Sequence, residues 1–85
     1  DVTYNRQGLI YFICINYNIM PDDVKNKILD LCIRAGGEYR TALFEVITTN
    51  KSVTAVSIEH YMSPETLYRI LRRFYDLFDI EFLSR

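Results

Sequence analysis

Between Lys51 and Arg73 the chain gathers side chains able to hold a nucleic acid. Lys51, Arg69, Arg72 and Arg73 can neutralise phosphates, and an arginine can also clamp a guanine edge with two hydrogen bonds. The hydroxyls of Thr54, Ser63 and Tyr68 suit phosphate oxygens, and the Glu65 carboxylate can accept a hydrogen bond from cytosine. At helical spacing Glu65, Arg69, Arg72 and Asp76 fall on one side, flanked by Tyr68 and Arg73, while Leu67, Ile70, Leu71, Phe74, Leu77 and Phe78 fill the other. A core helix with a solvated arginine face has the same pattern, so the meaning of these residues depends on the elements around them.

Charge supports a local contact and not a global one. The whole chain carries −1, yet the stretch from Lys51 to Arg73 holds four cations against two acids. Phosphate binding requires clustered cations, which a nearly neutral chain can still supply. Catalytic patterns are missing. His60 is the single histidine and has no partner at metal-ligand or nucleophile spacing, and no glycine-rich phosphate loop occurs. Asp22-Asp23 and Asp76 with Asp79 read as a helix start and a solvated helix end. No enzyme, metal, cofactor or small-molecule substrate is expected.

The composition fits a small packed domain: 49% hydrophobic, with 7 Tyr and 5 Phe and only 3 Gly and 2 Pro. Cys14 and Cys32 sit among apolar neighbours outside any C-x-x-C pattern, which suits buried reduced thiols and a cytoplasmic setting. The run Leu9 to Ile15 is too short to span a bilayer.

Read along the chain, residues 1–8 are polar and end in glycine, so a flexible leader is expected there, followed by a single helical domain over 9–85. Leu9 to Ile15 reads as helix, since no second run of similar character exists to pair with it as a strand. Pro21, Asp22 and Asp23 suit a first helical turn, and Val24, Ile28, Leu31, Cys32 and Ala35 then share a face until Gly36-Gly37 ends it. Tyr39, Ala42, Leu43, Val46 and Ile47 form the stripe of a helix over about 38–48. Ser52 is an N-cap for a short helix to His60, and Ser63-Pro64-Glu65 is a cap, a proline at the first helical position and an acid in the first turn.

These pieces compose a helix-turn-helix over about 52–78. That motif requires a small residue inside its first helix, an apolar residue in the turn and an apolar inner face on the second helix. Val56 and Ser57, Met62, and Leu67 with Ile70 meet those demands. Tyr61 stands where a glycine often makes the turn.

The segment from Glu38 to Leu77 resembles the PapB family of transcriptional regulators of bacterial fimbrial adhesin operons. The likeness rests on Ala42, Leu43, Glu45 and Ile47, on Ser52, Val56 and Ser57, on Met62, and on Leu67, Leu71, Arg73, Phe74 and Leu77. The chain departs from the family at Asn50, where glycine is usual, and at Val53 and Thr54, where basic residues are usual. Plasmid partition regulators related to KorA share a similar helix pattern. The resemblance implies a homo-oligomer that binds AT-rich operator DNA without a cofactor.

The expected molecule is therefore an all-α domain of about five helices that regulates transcription by binding double-stranded DNA. Its pairing is expected through the N-terminal helices or through Ile80, Phe82 and Leu83, which are more apolar than a free tail. The competing expectation is a helical protein-interaction module, in which tyrosines such as Tyr4, Tyr11, Tyr17 and Tyr75 form an aromatic face without DNA binding.

Overall fold

Short-range chemistry sets where each helix starts and stops. In the computed structural model, which describes residues 2–83, the Thr3 hydroxyl accepts from the Arg6 amide at 3.3 Å and opens α1 (Tyr4–Ile15). Asn16 closes it, donating its side-chain amide to the Phe12 carbonyl at 2.7 Å, and a 3-10 turn, Tyr17–Ile19, follows. Helix α2 (Asp22–Gly36) begins just after Pro21, which serves as its N-cap one position earlier than the sequence suggests. It ends at Gly37, whose φ of +56° is cheap only without a Cβ. A 3-10 turn, Gly37–Tyr39, replaces the expected first turn of the next helix, so α3 runs Arg40–Thr48. Two shorter-spaced elements complete the chain: α4 (Val53–Glu59) and α5 (Pro64–Phe78), with a π-helical turn, Asp79–Leu83, at the end.

The domain is all-α with five helices and has no strand among the described residues. Helical structure begins at Tyr4, inside the stretch 1–8 expected to be a leader. The physical reason is tertiary: Val2 is only 9% exposed, and the Arg6 guanidinium pairs with Asp79 at 2.5 Å, so α1 is tied at its first turn to the far end of the chain. Asp1, Ser84 and Arg85, which the leader and domain boundaries include, lie outside the described residues.

Helix α2 packs against both α3 and α5. Gly36 lets α3 approach, since a Cβ there would meet a Leu43 methyl at 3.3 Å. The core is drawn from Ile10, Cys14, Ile28, Leu31, Leu43, Ile47, Val56, Leu67, Phe74 and Phe78, all fully buried. Of the apolar tail, Phe82 stacks on Phe78 with ring centroids 4.5 Å apart, and Phe82 and Leu83 pack on the chain's own core while Ile80 stays exposed. Glu81 locks that turn to α2 through Arg34 and Lys27. Both cysteines are free and buried, and burial pushes each thiol up to about 12, Cys14 with a further push from Cys32. No described helix is long and apolar enough to cross a membrane.

Candidate nucleic-acid interface

Helices α4 and α5 are joined by a turn whose backbone is fully specified. The Met62 amide donates to the Ser57 carbonyl at 3.0 Å and the Tyr61 amide to the Ile58 carbonyl at 3.2 Å. With Tyr61 at φ +55°, this is a Schellman ending, in which one left-handed residue reverses the chain and satisfies the last carbonyls. Ser57, fully buried, donates its hydroxyl to the Thr54 carbonyl at 2.8 Å and so brings no unsatisfied polar atom to the packing side of α4. Val56, Leu67 and Ile70 are buried beside it, with Met62 half-buried over them. The small residue, turn residue and inner face required of a helix-turn-helix are therefore in place.

Tyr61 bears a cost in this arrangement, because a left-handed residue with a Cβ lies about 1 kcal/mol or more above glycine. Its side chain is 97% exposed and contributes no packing in return. Tyr61→Gly is expected to raise stability by about 0.5–1 kcal/mol, the gain being trimmed by the greater freedom of glycine in the unfolded chain. A urea titration reads this as a higher midpoint at unchanged slope.

Helix α5 starts as its sequence demands. The Ser63 hydroxyl accepts from the Thr66 amide at 3.2 Å and lies 2.9 Å from the Thr66 hydroxyl, with Pro64 at the first helical position and Glu65 in the first turn. Thr66 was not among the residues singled out from sequence; its position three residues after a capping serine was the available signal. Beyond the cap, Glu65, Tyr68, Arg69, Arg72 and Arg73 are all exposed. Glu65 and Arg69 stand four residues apart yet do not pair, and no ion pair holds Arg69, Arg72 or Arg73 among the described residues. Three guanidinium groups are thus exposed along little more than one turn of one helix. Arg72 also borders a small cleft with Val2, Gln7, Tyr75 and Asp76, which sets it against the start of α1.

The two site residues ahead of α5 are placed differently. Thr54 is exposed on the first turn of α4, whose N-cap Ser52 accepts from the Ala55 amide at 3.1 Å. Lys51, expected to meet phosphate, is already engaged: its ammonium lies 2.6 Å from Glu45 and 3.2 Å from Glu59. Glu45 also meets His60 Nε2 at 2.9 Å. This cluster fastens α3 to both ends of α4, and the sequence spacing hides it because its members come from three elements. Glu45, Glu59 and His60 are of metal-ligand type and their ligand atoms lie within 4.8 Å of one another, but the cation that the two carboxylates hold is the Lys51 ammonium.

Lys51 foremost, then His60 and Glu59, hold the Glu45 carboxyl down at about 2 from an ordinary value of 4.5. Glu45 and Glu59 in turn raise the Lys51 ammonium. A folded-state pKa below the unfolded one gives stability that is complete above about pH 4.5 and is lost as pH falls toward 2. Glu45→Gln should accordingly lower the urea midpoint at pH 6 and flatten the acid limb of the stability profile between those values. An unchanged acid limb in the variant would remove the cluster from the determinants of stability.

No family model, curated protein or solved structure matches this chain.

Proposed function

We propose that the chain is a helix-turn-helix DNA-binding regulator of transcription, acting as a homo-oligomer on operator DNA and not as an enzyme. The observation that carries this reading is the exposed face of α5, where Arg69, Arg72 and Arg73 lie without ion-pair partners among the described residues behind a capped, proline-started N-terminus. Elsewhere the cations of the domain are mostly paired, as Arg6, Lys27, Arg34 and Lys51 show. Three neighbouring arginines left unpaired on one face favour an anionic partner, and the preceding short helix and tight turn are the brace that a recognition helix needs.

In this reading the first turns of α5 approach base edges through Glu65, Tyr68 and Arg69. Ser63 and the helix N-terminus meet a phosphate, and Arg72 and Arg73 hold the backbone. Thr54 at the start of α4 can reach the same strand. Lys51 takes a positioning part through Glu45 and Glu59 in place of the phosphate contact expected of it. The resemblance to the PapB family makes an AT-rich operator of adhesin genes the first target to try, in a bacterial cytoplasm.

The test is a titration of AT-rich and mixed-sequence duplexes at two salt concentrations. Binding that weakens as salt rises and prefers one duplex is the expected result. A folded protein that binds no duplex at low salt would sink the proposal and turn attention to protein partners.

A further inference from the structure

Helix α2 carries an exposed stripe that the core does not use. Asp22, Asn26, Leu29 and Ile33 follow one another at four, three and four residues, which lines them up along the helix. Leu29 is 40% exposed and Ile33 55%, and beside them opens an apolar cleft of about 330 Å³ lined by Leu29, Cys32, Ile33, Arg40, Thr41 and Phe44. The stripe is acidic at its start and apolar at its end, and a cation lies just beyond it. Asp22 and Asp23 have no ion-pair partner among the described residues. At the other end the Arg40 guanidinium donates to the Gly37 carbonyl at 3.1 Å, which holds a cation at the C-terminus of α2 with no carboxylate against it.

We propose that this face of α2 and α3 is where a second copy of the chain docks, the two α2 helices running antiparallel about a two-fold axis. This names the surface for the homo-oligomer part of the proposed function and rests on that part alone. A two-fold contact must be self-complementary, and the face carries both halves of one: a protruding Ile33 and an apolar cleft beside it. With the two helices antiparallel, the acidic start of one α2, at Asp22 and Asp23, comes beside the C-terminus of the other, where the Arg40 guanidinium sits on the Gly37 carbonyl. Acid then meets base at both ends of the contact, by symmetry. A parallel pairing would instead set acid on acid, and an unrelated partner would have no reason to carry acid and base at matching ends.

The exposed face of α1 is the rival, with Phe12 62% exposed, but among its residues Arg6 is the sole charged side chain and already pairs with Asp79. Nothing there favours a second copy in one orientation. Of the tail, the other surface expected from sequence, Phe82 and Leu83 are spent on the chain's own core, which leaves Ile80 alone exposed among the three.

Sedimentation equilibrium on the full chain without DNA tests the proposal. Wild type should be a dimer at micromolar concentration, and Ile33→Glu should weaken it at least about tenfold while keeping its helical circular-dichroism melt, since the side chain is exposed. Arg40→Glu should weaken it as well, and adding Asp22→Lys should restore association, because the pair of reversals rebuilds the end contacts. Phe12→Ser should change nothing. A monomeric wild type, a dimer insensitive to Ile33→Glu, or no rescue by the double reversal would overturn the proposal. A monomer that still binds DNA would separate this failure from failure of the DNA-binding reading, and a dimer that binds no duplex would do the converse.

Discussion

If the proposed function holds, Arg69→Ala/Arg72→Ala is expected to abolish measurable DNA binding at moderate salt while leaving the fold intact. Each phosphate-bound cation contributes a slope of about −0.9 to the dependence of log affinity on log salt. Arg72 is placed on phosphate and Arg69 on a base edge, so the double variant should reduce the slope by about 0.9 per protomer in a fluorescence-anisotropy titration. Loss of a bidentate base contact removes about 1–3 kcal/mol in addition, and does so most at the preferred operator. The two contributions separate experimentally, because the first weakens all duplexes alike and the second narrows the gap between them. Neither side chain is buried or ion-paired, so the thermal melt should stay close to that of wild type. Lys51→Ala supplies the contrast. Its ammonium is held by Glu45 and Glu59, so it should lose stability more than it loses salt dependence. If Lys51→Ala reduced the salt slope as much as the arginine pair does, the α5 face would not be the main phosphate contact.

Local signals in the sequence located the starts of the two helices that carry the candidate site. Ser52, Ser63 and Pro64 sit where their chemistry places them, since a cap or an N-terminal proline acts within three residues. The stripes of α2, α3 and α5 were legible for a similar reason: a face that must be buried repeats at helical period. What could not be read was set by partners distant in the chain. Nothing between Asp1 and Gly8 announces that Arg6 meets Asp79, and so the first turns of α1 look like a leader. Lys51 reads as a free cation because Glu45 and Glu59 approach it only after α3 and α4 have packed. The apolar tail was ambiguous between core and neighbour, and the stacking of Phe82 on Phe78 decides it. The left-handed Tyr61 is a different case. Its position was legible, but its tolerance depends on the Schellman bonds around it and on an outward ring that meets nothing.

Phe74→Ala should remove most of the stability of the domain, and its consequences separate folding from recognition. Phe74 is fully buried on the inner side of α5, one helical turn before Phe78, with ring centroids 5.9 Å apart, and it also meets Tyr75 edge-on. Truncating a buried phenylalanine costs about 3–5 kcal/mol, combining lost transfer free energy with the cavity left behind. A domain of 85 residues has only about 4–13 kcal/mol in total. For a chain of this size that loss lowers the melting temperature by about 15–30 °C. Because Phe78 in turn supports Phe82, the π-helical turn should loosen first and expose Glu81 and its partners on α2. On the proposed function, saturating operator DNA would bind only the folded form and should recover part of the lost melting temperature, the recovery growing with DNA concentration. The arginine variant should show no such recovery. A Phe74→Ala protein that melts near wild type would mean the side chain's space collapses without cost, and would move the anchor of α5 to Leu67 and Phe78.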